Sequence, residues 1–244
     1  MNTDIEAVVA RNVDTVRREI AAACERAGRS ADEVTLIGVT KSVDRTTTDA
    51  LVKAGVHDLG ENRVQGAVAK FGRQSLSPPL PSGVALHMIG NAQTNKARDI
   101  VELFDCVHSI NRPGIADALN RAASRGSERL PVLLEVNTAE DLQKQGVGVD
   151  EVFDLLGYVL SECAALELIG LMTIAPLTDD PNVVRAAFSA LRELRDALRR
   201  ENANLPLPQL SMGMSNDFAI AIEEGATHIR IGRALFAGLP SPIT

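Results

Sequence analysis

Hydrophobic and polar residues follow two alternating patterns along this chain, one typical of helices and one typical of buried strands. The first helical pattern covers residues 4–27 and stops at Gly28, with apolar side chains at Ile5, Val9, Val13, Val16, Ile20 and Cys24. A continuous apolar run over residues 34–40 then predicts a buried strand. It is followed directly by Lys41, an unexpected side chain where a buried strand stops.

The same alternation continues to the end of the chain. Further helices are predicted near residues 46–55, 62–72, 94–103, 113–126, 150–164, 181–202 and 215–225. Together with residues 34–40 there are eight predicted strands, the other seven being HDLG, ALHMIG, FDCVHSI, LPVLLEV, LELIGLMTI, PQLSMG and THIRIG. No linker is long enough to divide the chain, so residues 1–244 are predicted to form a single domain.

Eight strands alternating with helices in roughly 250 residues indicate an α/β protein with a (β/α)8 barrel of the TIM type. The first helical pattern is then an extra N-terminal helix. The main alternative is an open, doubly wound sheet, whose usual GxGxxG phosphate motif would follow the first strand. That strand ends in VTKSVD instead, which favours the barrel.

Composition disfavours several classes of partner. The net charge is −7, and no dense basic run with interleaved aromatic residues is present, which disfavours nucleic acid binding. The first 20 residues carry charges throughout and no stretch of 18 apolar residues occurs, so neither export nor a membrane span is predicted. The cysteines, Cys24, Cys106 and Cys163, lack metal-binding spacing, which predicts buried, reduced thiols in a cytoplasmic protein and no metal site.

In a barrel, the carboxyl ends of all strands lie on one face, where active sites are built. This face is predicted to carry a polar set: Lys41, Glu61, Asn62, Asn91, Gln93, His108, Ser109, Asn137, Met172, Thr173, residues 211–215, Arg230 and Gly232. Because the first and last strands are neighbours in a closed barrel, we expect Lys41 and Arg230 to lie side by side. The face is suited to a polar ligand.

Phosphate groups in such barrels are usually bound after the last two strands, where this chain reads SMGMSND and IRIGRA. Gly213 and Gly232 would let backbone N–H groups approach an anion, and Ser215 is expected to cap the following helix. A phosphate site beside a strand-end lysine is what pyridoxal phosphate (PLP) requires, because its aldehyde condenses with a lysine amine. Arg230 would donate to an unprotonated ring nitrogen and so weaken the ring as an electron sink.

These residues fall in motifs that resemble the pyridoxal phosphate homeostasis proteins. The motifs are GVTKS around Lys41, GENRVQ at 60–65, IG..QTNKAR at 89–98, GLMTI at 170–174, SMGMSND at 211–217 and IRIG at 229–232. The resemblance covers residues 34–236. It implies a single-domain barrel related to the amino-terminal domain of alanine racemase, which binds PLP, has no established turnover and buffers or delivers the cofactor.

The same resemblance implies roles for individual residues. Lys41 is the Schiff-base lysine and Arg230 the partner of the ring nitrogen, Asn62 lies near the ring, and Ser215, Gly232 and Arg233 contact the phosphate. Three positions depart from the family's common pattern: Gly66 replaces Glu, Asn216 replaces Asp and Arg233 replaces Thr. Only Arg233 is one of the implied contacts, through either its backbone N–H or its guanidinium.

Some candidate residues have simpler explanations. The four histidines, His57, His87, His108 and His228, lie in strand-like runs and are interpreted as hydrogen-bonded core or edge residues without a role. Ser211 either contacts the phosphate or only caps a turn.

Two functions remain open. The first is a PLP carrier without substrate turnover, acting in the cytoplasm as a monomer with PLP-dependent apo-enzymes as recipients; the second is a PLP-dependent amino-acid racemase or lyase of the alanine racemase barrel type. Racemisation needs a second acid or base on the opposite face of the ring, and Tyr158, the only tyrosine, is expected on a helix outside the barrel. Lys144, after the fifth strand, is a candidate amine at the rim that receives the aldehyde during delivery.

Overall fold

The computed structural model describes residues 4–72, 78–139, 145–202 and 204–239. Its strands are parallel and their order is a closed ring, since β4 pairs with both β3 and β5, and β1 pairs with both β2 and β9. The bounds are β1 Thr35–Val39, β2 Asp58–Glu61, β3 Ala85–Met88, β4 Cys106–Ile110, β5 Leu130–Asn137, β6 Val147–Gly148, β7 Leu166–Met172, β8 Gln209–Ser211 and β9 His228–Ile231. The predicted TIM-type barrel is confirmed.

Helices surround this ring because their apolar stripes pack on the strands, whereas the extra helix packs mainly on two other helices and on short helical turns. Their bounds are α1 Ile5–Arg26, α2 Arg45–Lys53, α3 Val64–Phe71, α4 Ala97–Leu103, α5 Pro113–Ala123, α6 Val152–Glu162, α7 Pro181–Glu201 and α8 Phe218–Glu223. The extra helix α1 begins after Asp4, whose carboxylate accepts from the N–H of Ala7. The predicted N-terminal helix is therefore confirmed.

The start of the last helix and one additional strand differ from the prediction. The last helix begins at Phe218 rather than near residue 215, because the preceding residues form a turn in which the Asp217 carboxylate accepts from the N–H of Met214 at 2.5 Å. A ninth strand, β6, was not predicted; with two residues it pairs only with β5 and lies outside the ring.

The barrel interior is only partly apolar. Most buried hydrophobic side chains form one large core, whereas Cys106, Leu133 and Met172 form a small separate cluster. The buried polar side chains include His87, His108, Thr173, Ser211, Glu135 and Arg230. The three cysteines are free and buried, as predicted. Among the described residues, no helix is both long and apolar enough to cross a membrane.

Candidate cofactor-binding site

Lys41 lies in an exposed turn just beyond β1, at the carboxyl ends of the strands. The residue before it, Thr40, is fully buried and is hydrogen-bonded through its N–H, its hydroxyl and its carbonyl. The N–H of Thr40 donates to the carbonyl of Gly60 at 2.9 Å, and its hydroxyl donates to Glu61 Oε1 at 2.7 Å. The carbonyl of Thr40 accepts from Lys70 Nζ at 2.7 Å. The backbone that carries the candidate lysine is therefore held rigidly while its amine faces outward.

Glu61 and Lys70 form a buried ion pair beneath this turn. Lys70 Nζ lies 2.8 Å from Glu61 Oε1, and the Glu61 side chain is only 3% exposed. Removing one partner of such a pair leaves an uncompensated buried charge, which typically costs about 3–5 kcal/mol. Sequence reasoning placed Glu61 on this face but missed Lys70, whose position on α3 carries no distinguishing signal.

Arg230 lies deeper in the barrel than Lys41. In the register between β1 and β9, Arg230 is opposite Ile37, four residues before Lys41. The expected adjacency of the two strands is confirmed, but the two side chains start from different levels rather than side by side. Because strand residues alternate, Arg230 points inward and is 4% exposed.

The guanidinium of Arg230 is held by neutral groups. It donates from Nη1 to Ser211 Oγ at 2.7 Å and from Nη2 to the carbonyl of Thr173 at 2.9 Å. Burial lowers the pKa of Arg230 to about 10, and the nearby carboxylates of Asp217 and Glu135 act in the opposite direction. Arg230 is therefore still protonated at neutral pH and offers permanent hydrogen-bond donors inside the barrel.

The hydroxyl of Ser211 is hydrogen-bonded inside the barrel. It is fully buried, and its Oγ accepts from Arg230 and lies 2.9 Å from Nδ1 of His108. This side chain points into the barrel, away from the loop that follows β8. Its hydroxyl supports Arg230, and a phosphate contact by Ser211 stays a prediction.

The loops after β8 and β9 have the backbone expected of an anion site. Gly213 has φ +94°, and a Cβ at this position would lie 2.6 Å from the Cβ of Ala221. At Gly232 a Cβ would approach the carbonyl of Val39 to 3.3 Å. Both positions thus favour glycine. Gly213 and Gly232 fit the predicted phosphate cradle.

Ser215 and Arg233 lie at the edge of this cradle. The prediction that Ser215 caps the helix is wrong, because Asp217 precedes the first residue of α8 and makes no side-chain cap there. Arg233 Nη2 donates to Asn216 Oδ1 at 3.2 Å, so two positions that depart from the family's common pattern are hydrogen-bonded to each other. This bond ties the loop after β8 to the loop after β9.

Asn62 follows β2 and is half-buried against the next loop. A Cβ on Gly90 would lie 2.2 Å from the carbonyl oxygen of Asn62, so glycine is required for this approach. Gly90 also borders a cleft of about 250 Å³, lined by Ile89, Gly90, Asn91, Glu135, Gln145 and Ile174. Burial raises the pKa of Glu135, while Asn111 donates to its carboxylate at 3.2 Å. Lys144 lies outside the described residues.

Comparison with known proteins assigns the chain to a broad class of barrel proteins. Residues 12–240 match the family described as "Alanine racemase, N-terminal domain". Fold and site together define a barrel of this class. Alanine racemase from Clostridium difficile 630 has the same fold, with a TM-score of 0.70 at 13% identity; the chain aligns over 96% of its own length and covers 57% of the racemase.

Relatives of higher sequence identity show which family within this class the chain belongs to. The pyridoxal phosphate homeostasis protein of Aquifex aeolicus is 40% identical over 221 residues, which cover 91% of this chain and 94% of that protein. Its namesake from Escherichia coli K12 is 36% identical, over 93% of this chain and 95% of that protein. PipY of Synechococcus elongatus PCC7942, solved with PLP bound, has a TM-score of 0.80 and 32% identity, covering 94% of this chain and all of PipY. The chain belongs to the pyridoxal phosphate homeostasis protein family.

Proposed function

We propose that this protein binds PLP at the carboxyl ends of its strands and buffers or delivers it, without turning over an amino-acid substrate. Lys41 holds the cofactor covalently, Arg230 faces its ring nitrogen, and the cradle formed by Gly213, Ser215, Gly232 and Arg233 holds its phosphate. The family and the PLP complex of PipY support the choice of ligand. When bound, PLP supplies an aldehyde that is reactive towards a lysine amine.

The geometry of the donor set fits PLP. The aldehyde carbon and the ring nitrogen are attached at opposite ends of the pyridine ring. A bound ring would therefore need an amine at one level and a donor to its nitrogen at another, and Lys41 and Arg230 start from different levels of the barrel. Gly213 and Gly232, after β8 and β9, lie where backbone N–H groups would approach the phosphate in this proposal.

The single observation that carries the absence of turnover is the buried guanidinium of Arg230. With a pKa of about 10 it donates hydrogen bonds throughout the physiological range and has no proton to give up to a pyridine nitrogen. A ring nitrogen that faces such a donor would stay unprotonated, and the ring would be a weak electron sink. This disfavours the carbanion chemistry on which racemases and lyases depend.

The racemase alternative also needs a second acid or base. Tyr158 lies in α6 and its hydroxyl donates to Asp117 of α5 at 2.8 Å, which places it among the outer helices as expected. Glu135 is the described carboxyl group that borders the cleft and is 5% exposed. Glu135 is therefore the residue through which the alternative must be tested.

The covalent assignment predicts that the purified protein carries PLP on Lys41. Lys41→Ala should abolish the near-ultraviolet and visible absorption band of the bound cofactor. Borohydride reduction followed by peptide mapping should mark Lys41 in the unmodified protein. Lys96→Ala is a matched control, because Lys96 follows β3 on the same face and is paired with Asp99 at 3.9 Å. A band that survives in Lys41→Ala, with another lysine marked, would contradict the assignment.

Turnover is tested separately. Incubation of the PLP-loaded protein with alanine, serine and other common amino acids should give no racemisation or deamination above the rate of free PLP, measured by chiral chromatography and by keto-acid release. Steady turnover that is lost in both Lys41→Ala and Glu135→Gln would overturn the carrier proposal and establish a racemase or lyase.

Delivery implies recipients, which we take to be PLP-dependent enzymes in their cofactor-free form. The proposal places the protein in the cytoplasm as a monomer. Transfer is measured as the recovery of activity of an apo-enzyme. In one sample a dialysis membrane separates the apo-enzyme from the PLP-loaded protein, and in the other the two are mixed directly. Faster recovery on direct mixing supports delivery, and equal rates reduce the role to buffering.

A further inference from the structure

Two histidines and one cysteine meet inside the barrel, separated from Arg230 by Ser211. In the register between β3 and β4, His87 is opposite Cys106. His108 follows Cys106 by two residues on β4, and strand residues two apart point to the same side of a sheet. One ligand atom from each of these three side chains lies within 4.8 Å of the other two. We call His87, Cys106 and His108 the His–Cys cluster.

The two imidazoles of the cluster face each other nitrogen to nitrogen. His87 Nδ1 lies 3.0 Å from His108 Nε2, and the ring centroids are 5.1 Å apart. A tetrahedral zinc ion, with Zn–N of about 2.1 Å and Zn–S of about 2.3 Å, holds two nitrogen ligands roughly 3.4 Å apart and a nitrogen and a sulfur roughly 3.6 Å apart. The two nitrogens need to separate by only about 0.4 Å to fit that geometry.

Each histidine of the cluster is oriented from behind by an oxygen. His87 Nε2 lies 3.0 Å from Asp58 Oδ1. His108 Nδ1 lies 2.9 Å from Ser211 Oγ. With each ring proton on that remote nitrogen, the lone pairs of His87 Nδ1 and His108 Nε2 are both free for an ion. Metal-binding histidines almost always donate their second N–H in this way, and a carboxylate acceptor also raises the basicity of the ligand.

Burial and charge at the cluster suit a divalent cation. His87 is 6% exposed, Cys106 5% and His108 0%, so an ion between them is shielded from bulk water. A thiolate at Cys106 and the carboxylate of Asp58 together carry two negative charges, which balance those of the ion. The Asp58 side chain lies at the amino end of β2 and is 34% exposed, which gives an ion a way in from the amino-terminal mouth of the barrel.

We propose that the His–Cys cluster binds one zinc ion through His87 Nδ1, His108 Nε2 and Cys106 Sγ. Asp58 and Ser211 are the positioning residues that orient the two imidazoles. On binding, the thiol proton leaves to solvent and the sulfur bonds to the ion, so neither an oxidant nor a reductant is required. Imidazole and thiolate ligands favour zinc over magnesium, calcium or manganese.

The fourth position of the ion is assigned to a water molecule. His228 is a further imidazole of the barrel interior, but its ring centroid lies 6.5 Å from that of His87 and 6.4 Å from that of His108. Both distances exceed the 5.1 Å between the two ligating rings. The cluster therefore supplies three protein ligands and leaves one position open, as in zinc sites that keep a bound water.

The sequence predicted no metal site because the cysteines are far apart and lack metal-binding spacing. That expectation considers ligands along one stretch of chain. The His–Cys cluster is instead assembled by the pairing of β3 with β4, which brings His87 opposite Cys106. The zinc proposal does not depend on the proposed PLP site.

The first experiment uses cobalt(II), which occupies zinc sites and reports its ligands by absorption. The full-length protein is freed of PLP, whose absorption overlaps, treated with a chelator and titrated with cobalt chloride alone. One cobalt per chain should give a thiolate-to-cobalt charge-transfer band and the visible bands of tetrahedral cobalt. Cys106→Ser should lose the charge-transfer band. Cys163→Ser is the matched control, because Cys163 is equally a buried free thiol but lies at the end of α6, and it should keep the band.

The second experiment measures the dissociation constant for zinc by competition with a chromophoric chelator. Asp58→Asn should raise this constant about 10–100-fold, as expected when the carboxylate behind a ligating histidine is lost. Its cobalt spectrum should be unchanged, because the three ligands remain. His57→Gln is the matched control, since His57 is exposed beside Asp58 and should not contribute.

Three results would overturn the zinc proposal: an unchanged cobalt spectrum in Cys106→Ser, an uptake below one ion per chain, or a zinc dissociation constant that Asp58→Asn does not alter. Loss of zinc binding in His57→Gln would assign the ion to the exposed mouth and would also overturn it. Asp58 is partly exposed, so Asp58→Asn decides the question even if Cys106→Ser does not fold. Failure to bind PLP would overturn the proposed function and leave these results standing.

Discussion

His228 makes stability depend on pH, because folding places its imidazole where a proton is disfavoured. Its pKa falls from 6.5 to about 4 on folding, chiefly through burial and next through His87. Between these values the unfolded chain binds more protons than the folded one, so the free energy of unfolding declines as the pH falls from 6.5 towards 4. His228→Gln should remove a decline on the order of 2–3 kcal/mol, measured by urea unfolding at pH 7.5, 5.5 and 4.5.

The effect of His228 is the difference in free energy of unfolding between the unmodified protein and His228→Gln at each pH. The pH dependence of either protein alone does not isolate it. Burial raises the pKa of Glu135 and Asp217, so these carboxyl groups stabilise the folded state as the pH falls, the opposite of His228. Both are unchanged in His228→Gln, so their contributions cancel in the difference. Equal pH dependence of the two proteins would show that His228 is not shielded from protons as its burial implies.

Individual site residues were predictable only where a charged side chain occurs in or directly after a buried strand, where it is unexpected. Lys41 stands out because a cation follows a buried strand, and Arg230 because an arginine lies inside one. The anchoring by Glu61 and Lys70 was not predictable, since it depends on how α3 packs against β2. Nor was the role of Ser211, because no pattern within one strand reveals that His108, 103 positions earlier, is its hydrogen-bond partner.

At the scale of elements, α3 contains a glycine that its geometry does not need. Gly66 is the third residue of a regular helix, and a Cβ there would meet no atom within 4 Å. Gly66→Ala should therefore raise the free energy of unfolding by about 0.5–1 kcal/mol, because it reduces the entropy lost on folding. Gly157→Ala in α6, which has the same open surroundings, is the parallel case. Urea unfolding at pH 7.5 measures both.

Gly90→Ala is the control for that prediction, because it is expected to have the opposite effect on stability. An alanine Cβ would be forced against the backbone of Asn62, so Gly90→Ala should destabilise the protein by about 1–3 kcal/mol and displace the loop beside the proposed cofactor ring. Its affinity for PLP should fall together with its stability. Stabilisation by Gly90→Ala, or destabilisation by Gly66→Ala, would show that these local distances do not govern the response.

Elements were predictable where the pattern of apolar residues is long. All eight strands of the ring and the helices between them fall where that pattern indicates, since burial of one helical face and of whole parallel strands imposes it. Element ends were less predictable because side chains compete for the same N–H groups there. At the start of α8, Asp217 bonds to Met214 and displaces Ser215 from the predicted cap.

For the whole molecule, the repeated alternation of strand and helix was sufficient to predict closure of the barrel. The closing contact is the pairing of β1 with β9, in which Thr35 is opposite His228. Outside the ring, α1 reinforces the same junction: Asn12 Nδ2 donates to the carbonyls of Leu235 and Ala237 at 3.1 and 3.0 Å. The amounts of polar and apolar lining inside the barrel were not predictable, because they depend on which side of each strand faces inward.

The pairing of β1 with β9 also sets an order of events during synthesis. Lys41 leaves the ribosome 189 residues before Arg230, and at bacterial or eukaryotic elongation rates of about 5–20 residues per second this delay is roughly 10–40 seconds. Throughout that interval the nascent chain carries Lys41 without the residues of β9 that we propose to complete its site. Under that proposal, PLP is expected to load only after translation has passed the last strand.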